Sequence, residues 1–377
     1  MELSTLTYVL ILVLAFANGS NDVSKAIATL VGGGVTNYRI AIAWGTFWTM
    51  AGAVAAAFVA SAMVKTFSSG FLQPNLSIPP AFAPAILSGA LLWVLFASKT
   101  GLPVSTTHAL IGSLIGSGLL ALGNEGLIWE TVSKKIALPL LLSPFLSFGL
   151  SFLIHPLIRA LGKRWDGLCV CLIPNERALV TIDAQGYTRT LFQASSIGLP
   201  IASVPSHCDR AGLSGLSLGL DSFHWLSSGL TSLARGTNDA PKIAAMLLLG
   251  SLQPIWPSAT LQIMAFVGVA IAMGLGSYWG GHRVTEVLAE HVTKMDHLEG
   301  LSANLTTSSL VLLSGTLGLP VSTTHVSSSA IIGIGLLKGT SAVHWGTVRD
   351  MVLAWAVTLP AAAGLACIAY LLLSAVL

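Results

Sequence analysis

The chain has 377 residues, of which 54% are hydrophobic and 9% are charged, and its formal net charge is +3. Soluble domains carry about 25% charged residues, so this composition excludes a water-facing surface around the whole molecule. A net charge this small also gives no reason to expect a nucleic-acid partner. Apolar stretches, each long enough to cross roughly 30 Å of hydrocarbon, recur at 41–64, 81–97, 136–158, 259–279 and 348–372. They predict an all-α polytopic membrane protein surrounded by membrane lipid.

The first polar block, Asn18-Gly-Ser-Asn-Asp22, interrupts an apolar run that resumes as far as Val31. Asparagine, glycine, serine and aspartate break helices and cap new ones, so the block predicts two half-helices that meet inside the membrane. Irregular backbone at this depth is tolerated only where it is buried in protein or lines a cavity. An aspartate there costs roughly 2.5–3.5 kcal/mol, so Asp22 is expected to have a cation, a proton or a lysine as its partner.

The octapeptide Gly-Leu-Pro-Val-Ser-Thr-Thr-His follows at 101–108. Its glycine is predicted to end one segment and its proline to begin another, which places the three hydroxyl residues in a helical first turn. Free backbone N–H groups and the positive end of the helix dipole attract an anion there. The hydroxyl and carbonyl oxygens can also coordinate sodium, while close helix packing by small residues is the alternative reading. The predicted substrate-binding hydroxyls are Ser105, Thr106 and Thr107, with Ser322, Thr323 and Thr324 in a second copy.

The central segment, 161–212, is polar and lies in the largest basic stretch of the chain. Because basic loops stay in the cytoplasm, the segment is predicted to be cytoplasmic, with both termini outside. Residues around Gln185-Gly186 have the pattern of a small β-hairpin. The segment also holds Cys169, Cys171 and Cys208, but their spacing is not that of a standard zinc site, and reduced thiols are favoured. No resident metal or cofactor is predicted.

Both polar blocks recur in the same order after this segment. The second copies are Arg235-Gly-Thr-Asn-Asp-Ala-Pro-Lys242, whose Pro241 is predicted in the first turn of a new half-helix, and an identical octapeptide at 318–325. Asp22 and Asp239, like Gly101 and Gly318, are 217 positions apart. The recurrence predicts a first membrane repeat at 1–160 and a second at 213–377. With an odd number of crossings each, the repeats insert in opposite orientations, as is typical of secondary transporters with a site at the midplane.

At these residues the chain resembles the inorganic phosphate transporter (PiT) family, which carries two Gly-x-Asn-Asp blocks and two Pro-[Val/Ser]-Ser-[Thr/Ser]-[Thr/Ser]-His blocks in inverted repeats. The resemblance implies a phosphate symporter driven by sodium or protons, a homodimer, and about ten to twelve membrane segments with broken helices. The family also has members that carry sulfate. By position, the resemblance implies a site that contains Asn21, Asp22, Asn238, Asp239 and both hydroxyl triplets.

Two positions depart from the family pattern and add positive charge. Arg235 stands where many members have histidine, and Lys25 stands where many have asparagine. Lys25 and Lys242 each follow an aspartate by three residues, so each pair shares a helix face and can form an ion pair. Two aspartates against Lys25, Lys242 and Arg235 make the expected site net positive. This tally favours protons over sodium as the ion coupled at Asp22 and Asp239.

The functional prediction is a secondary active transporter of inorganic phosphate in the cytoplasmic (inner) membrane. A sulfate or related oxyanion permease is the alternative within the same class. A non-transporting, anion-sensing membrane protein is the alternative from another class. The sequence shows no nucleophile–base–orienter set and no P-loop, so no enzymatic activity is predicted.

Overall fold

The computed structural model describes residues 3–68, 70–74, 76–165, 169–182, 188–203, 220–249 and 259–376. Among its described residues, the first half contains seven α-helices: α1 (Leu3–Asp22), α2 (Ser24–Gly32), α3 (Tyr38–Val59), α4 (Ser61–Ser68), α5 (Phe82–Thr100), α6 (Thr106–Leu122) and α7 (Leu138–Trp165), the last preceded by a π-helical stretch, Thr131–Ala137. The described part of the second half contains six: α8 (Leu220–Ala244), α9 (Ala259–Gly280), α10 (His282–Glu290), α11 (His297–Thr316), α12 (Thr323–Leu337) and α13 (Trp345–Val376).

Between the halves, two antiparallel strands, β1 (Cys169–Ile182) and β2 (Thr188–Ser203), pair with Leu179 opposite Leu191. They lie in the segment whose sequence pattern suggested a hairpin. Gln185, Gly186, His207 and Cys208 are outside the described residues, as are the side chains of Cys169 and Cys171. The proposed boundaries of the central segment therefore stay a prediction.

Long apolar helices confirm the polytopic membrane class. Six segments in the described part are long and apolar enough to span a bilayer: Thr5–Gly32, Tyr38–Val59, Phe82–Thr100, Thr131–Gly162, Gln262–Gly280 and Trp345–Val376. Thr106–Leu122 and Thr323–Leu337 are shorter apolar helices. The long helices α8 and α11 are more polar, and most of their polar side chains are buried against protein. The described interior therefore contains many hydrogen-bonding groups.

The helices of the two halves pack in a reciprocal pattern. Helix α1 packs on α9 and α3 packs on α8, while α5 and α6 pack on α13 and α11 and α12 pack on α7. Helices α1 and α8 occupy equivalent places in the two halves, as do α3 and α9, so the contact of α1 with α9 repeats as the contact of α8 with α3. An internal two-fold relation produces such pairs of equivalent contacts. This reciprocal packing is what the duplication inferred from the repeated blocks predicts. The opposite insertion of the halves stays a prediction.

The glycines of the two Gly-x-Asn-Asp blocks allow these helix pairs to approach closely. A Cβ atom on Gly19 would overlap the carbonyl oxygen of Met273 in α9, and one on Gly236 would overlap that of Thr49 in α3. Small residues at membrane helix interfaces have this effect generally. The polar side chains beside each glycine are consequently held in the protein interior.

The predicted helix break is present at the first polar block only as a one-residue junction between α1 and α2, and it is absent at the second block. Helix α1 continues through the first block to Asp22, and Val23, which separates it from α2, has helical angles (φ −60°, ψ −34°). The second block lies inside α8, with Pro241 in the helix and not at the start of a new one. Asn18, Asn21 and Lys242 have hydrogen-bond partners in other helices, so they do not have to unwind their own helix to find them. The wider interruptions between helices are at the octapeptides.

Candidate functional site

The octapeptides form the tips of two helical hairpins. Helix α5 packs on α6 and α11 packs on α12, and each hairpin turns at a glycine in the left-handed region, Gly101 (φ +78°) and Gly318 (φ +66°). Each helix after the turn begins at the first threonine of the triplet, later than predicted. Pro103 and Pro320 therefore lie in the link between the helices and do not begin a helix. The turn predicted at each glycine is present.

Ser105 and Ser322 are the N-caps of α6 and α12. The Oγ of Ser105 accepts a hydrogen bond from the backbone N–H of His108 at 3.1 Å, and the Oγ of Ser322 accepts one from His325 at 3.2 Å. Each serine was expected inside the first turn and lies one position before it. The first N–H groups of each helix have no partner within the helix, so both tips keep the anion-attracting end that the sequence suggested.

The two hairpin tips meet inside the protein. The hydroxyl of Thr324 donates to the carbonyl of Val104 at 2.7 Å, and the rings of His108 and His325 stack with centroids 4.4 Å apart. His108 Nδ1 lies 2.9 Å from the capping hydroxyl of Ser105. All six triplet residues are buried: Ser105, Thr106, Thr107, Ser322, Thr323 and Thr324.

In the first half, a buried ion pair connects α1 to the neighbouring hairpin tip. Lys25 forms an ion pair with Asp22, as the three-residue spacing predicted, and its ammonium also lies 3.4 Å from the carbonyl oxygen of Val104. Asn21 donates to the carbonyl of Leu102 at 3.0 Å. Both polar residues therefore bind the backbone of the first tip.

The second half repeats this arrangement. Lys242 donates to Asp239 at 3.2 Å and to the carbonyl of Val321 at 3.1 Å. It also donates to the hydroxyl of Thr107 at 2.8 Å, which links the second repeat to the tip of the first. Asn238 donates to Asp239 at 2.9 Å and to Val321 at 3.3 Å. The lysines, aspartates and tip valines of the two halves are equivalent by position.

Asn18 joins the two halves, and the sequence-based site did not include it. Its Nδ2 lies 3.0 Å from Asp22 Oδ2, 3.4 Å from Asp239 Oδ2 and 3.1 Å from the hydroxyl of Thr106. Its position four residues before Asp22 placed it on the same helix face, which was the available signal. The contact with Asp239 crosses 221 positions and depends on how α1 packs beside α8.

Arg235 occupies the equivalent position in the second half, four residues before Asp239. Its side chain is fully buried, and Nη2 donates to Ser277 at 3.3 Å. Among the described residues, Nε and Nη1 have no hydrogen-bond partner, although the charge of Arg235 interacts with both Asp22 and Asp239. A buried guanidinium with unused donors is suited to an oxyanion, which can accept from two N–H groups at once.

These contacts place five buried charges together. Asp22 and Asp239 are negative, whereas Lys25, Lys242 and Arg235 are positive, so the cluster is net positive by one charge. Two helix N-termini and threonine hydroxyls lie within the same cluster. Charges buried in protein attract a counter-ion far more strongly than the same charges in water. The arrangement can therefore hold a multivalent anion.

A duplicated helical membrane protein with a buried, net-positive site between its repeats has the structure of a secondary transporter. A profile of the Phosphate transporter family matches residues 18–366. A candidate phosphate permease of Pyrococcus abyssi (strain GE5 / Orsay) is 30% identical, over 95% of this chain and 94% of that protein. A probable low-affinity inorganic phosphate transporter of Rhizobium meliloti (strain 1021) is 29% identical, over 94% of this chain and 92% of its own length.

The chain belongs to the phosphate transporter family. Its fold matches a solved structure described as the sodium-dependent phosphate transporter, with a TM-score of 0.77, 22% identity and 100% of both chains covered. The resemblance drawn from the repeated blocks is thereby confirmed, as is the prediction that the protein is a transporter and not an enzyme. The roles of individual site residues stay predictions.

Proposed function

We propose that the protein is a secondary active transporter that carries inorganic phosphate across the cytoplasmic membrane, driven by a sodium or proton gradient. One observation carries this proposal: the N-termini of α6 and α12, one from each repeat, meet beside a buried cluster with one excess positive charge. Family membership supports phosphate as the cargo. A homodimer with both termini outside is part of the proposal and rests on the resemblance and on the basic central segment.

The donors for phosphate are the first N–H groups of the two helices, the threonine hydroxyls and Arg235. In the structure two of these groups form hydrogen bonds within the protein. Thr324 donates to the carbonyl of Val104, and the hydroxyl of Thr107 accepts from Lys242. Phosphate entering between the tips would replace these internal contacts with its own oxygens. Exchanging one set of hydrogen bonds for another keeps the buried donors satisfied throughout.

Phosphate fits this site better than sulfate for a reason of proton chemistry. Near neutral pH, phosphate keeps at least one hydroxyl group and sulfate keeps none. A hydroxyl needs an acceptor, and Asp22 Oδ2 and Asp239 Oδ2 each accept one hydrogen bond, from Asn18, which leaves each of them a second lone pair. A site built to accept that hydrogen bond disfavours an analogue that lacks it. Sulfate is the second candidate substrate, because both anions are tetrahedral and suit the same N–H donors.

The proposal is tested by uptake of radiolabelled phosphate into proteoliposomes under an inward sodium or proton gradient. We expect gradient-driven uptake of radiolabelled phosphate. Excess unlabelled phosphate should inhibit this uptake strongly, and excess sulfate should inhibit it less. Arg235→Gln should lower uptake at limiting phosphate by about tenfold or more, because it removes a buried charged donor.

The matched control for that variant is Arg349→Gln, which removes an exposed arginine paired with Asp350 and should leave uptake unchanged. Saturable phosphate binding without uptake under any gradient would favour the anion-sensing alternative. Uptake of sulfate in preference to phosphate would contradict the proposal and favour a sulfate permease.

A further inference from the structure

The carboxylates of Asp22 and Asp239 already have a donor at every oxygen. Asp22 Oδ1 is paired with Lys25, and Asp22 Oδ2 accepts from Asn18 at 3.0 Å. Asp239 Oδ1 accepts from Lys242 at 3.2 Å and from Asn238 at 2.9 Å. Asp239 Oδ2 accepts from Asn18 at 3.4 Å. These five contacts come from four nitrogen atoms of buried side chains, because Asn18 Nδ2 contacts both carboxylates.

This donor pattern does not fit a sodium ion bound at either carboxylate. A hard cation needs several oxygen atoms with lone pairs directed at it. Here N–H groups are directed at those oxygens, and a fixed ammonium lies beside each carboxylate. A second cation brought to the same carboxylate would be repelled by that ammonium at short range in a buried setting.

The ammonium groups instead have the surroundings that such a cation would have. Lys242 Nζ has three oxygen partners of three kinds: the carboxylate of Asp239 at 3.2 Å, the carbonyl of Val321 at 3.1 Å and the hydroxyl of Thr107 at 2.8 Å. Lys25 Nζ likewise contacts the carboxylate of Asp22 and the carbonyl of Val104. In each half, therefore, a positive charge joins an aspartate to the backbone of a hairpin tip.

We propose that Lys25 and Lys242 are built-in counter-ions that take the place of co-transported sodium, so that phosphate exchange across the membrane needs no sodium. The proposal rests on the proposed phosphate transport. Each ammonium neutralises an aspartate and holds a hairpin tip in both repeats, and Arg235 supplies the excess positive charge that the anion requires. Sodium has neither a free carboxylate nor an unmet charge to balance.

The test is phosphate counterflow, which needs no driving gradient. Proteoliposomes are loaded with unlabelled phosphate and placed in radiolabelled phosphate, with equal sodium chloride or equal choline chloride on both sides. We expect the two rates to agree within about twofold, because no sodium site has to be filled. Stimulation by sodium of about tenfold or more would overturn the proposal and leave phosphate transport standing. The absence of counterflow in both salts would overturn the proposed function and this inference with it.

Replacing the lysine should create the sodium requirement. In Lys25→Asn, counterflow in choline should fall by about tenfold or more, because Asp22 loses its counter-charge, and sodium should restore most of the rate. The matched control is Lys134→Asn, which removes an exposed lysine that donates to Glu130 at 2.9 Å and should behave as the wild type in both salts. A folded Lys25→Asn protein that stays inactive in both salts would overturn the counter-ion role.

A measurement on the wild type covers the case in which the variant does not fold. Binding of radioactive sodium to the purified protein is measured with saturating inorganic phosphate present. We expect no saturable sodium binding, since both aspartates keep their lysines. Saturable binding that Asp22→Asn abolishes would show a sodium site at this carboxylate and overturn the proposal.

Discussion

Ser105 and Ser322 use their side-chain oxygens to cap helices, so the hydroxyls of a triplet do not have equivalent roles. The caps accept the N–H groups of His108 and His325, whereas Thr107 accepts from Lys242 and Thr324 donates to Val104. Thr107 and Thr324 are equivalent by position but form different hydrogen bonds, so the two tips depart from two-fold symmetry at these residues. The asymmetry lies at the atoms where the two repeats touch.

Removing a capping hydroxyl should weaken phosphate binding moderately. Ser105→Ala and Ser322→Ala each remove a cap worth about 1 kcal/mol, which corresponds to roughly a fivefold higher half-saturation concentration if the ordered tip is needed for binding. The N–H groups of the first turn remain, so uptake should persist. The measurement is the concentration dependence of phosphate uptake in proteoliposomes.

Ser105→Thr is the control for this prediction, because threonine keeps a capping oxygen and should stay close to the wild type. If Ser105→Ala and Ser322→Ala combined leave both the half-saturation concentration and the melting temperature unchanged, then the caps contribute nothing measurable to the site.

At the scale of helices, the sequence predicted what local geometry decides. The three-residue spacing was sufficient for the ion pairs of Lys25 and Lys242, because helix geometry alone brings those side chains together. The glycine turns at 101 and 318 were also predictable, since a left-handed residue after a helix favours glycine. Both features depend on residues close together in the chain.

Features that depend on packing between distant helices were missed or wrong. The contact of Asn18 with Asp239 needs α1 and α8 to lie side by side, which no local pattern specifies. Pro241 was expected at a helix start, yet α8 continues through it because the polar residues around it are held by partners in other elements. Helix-breaking residue types are weak signals where tertiary contacts satisfy the backbone and side chains.

The glycines of the polar blocks should be intolerant of a methyl group. Gly19→Ala and Gly236→Ala would each place a Cβ against a backbone carbonyl of the neighbouring helix, and backbone cannot move aside as a side chain can. We expect a destabilisation of about 1–3 kcal/mol for each, with a lower melting temperature in detergent. Thermal unfolding of the purified variants measures it.

Gly364→Ala is the matched control, since Gly364 lies in α13 and an added Cβ would have no atom of a neighbouring helix within 4 Å. Alanine is the better helix former, so this variant should unfold at the same temperature as the wild type or higher. Equal loss of stability in all three variants would mean that the close approach of α1 to α9 and of α3 to α8 does not account for the effect.

At the scale of the whole molecule, reciprocal packing places one polar cluster between two repeats. Each hairpin packs on the long last helix of the other half, α5 and α6 on α13 and α11 and α12 on α7. Movement of either hairpin therefore involves both repeats, and both tips contact the charges of the cluster. Alternating access in repeat transporters generally uses movement of one repeat unit against the other around a fixed site.

Orientation in the membrane provides the last prediction. The stretch between the halves carries Arg159, Lys163, Arg164, Arg177, Arg189 and Arg210, and basic loops of this kind stay on the cytoplasmic side. An odd number of crossings in each half then places both termini outside.

In a background without other cysteines, Ser4→Cys should react with an impermeant maleimide in intact cells, and Cys171 should react only after the cells are made permeable. Phosphate uptake by each single-cysteine protein verifies that it is folded. Labelling of Cys171 in intact cells, with Ser4→Cys protected, would reverse the orientation. Labelling of both in intact cells would mean that the first half crosses the membrane an even number of times.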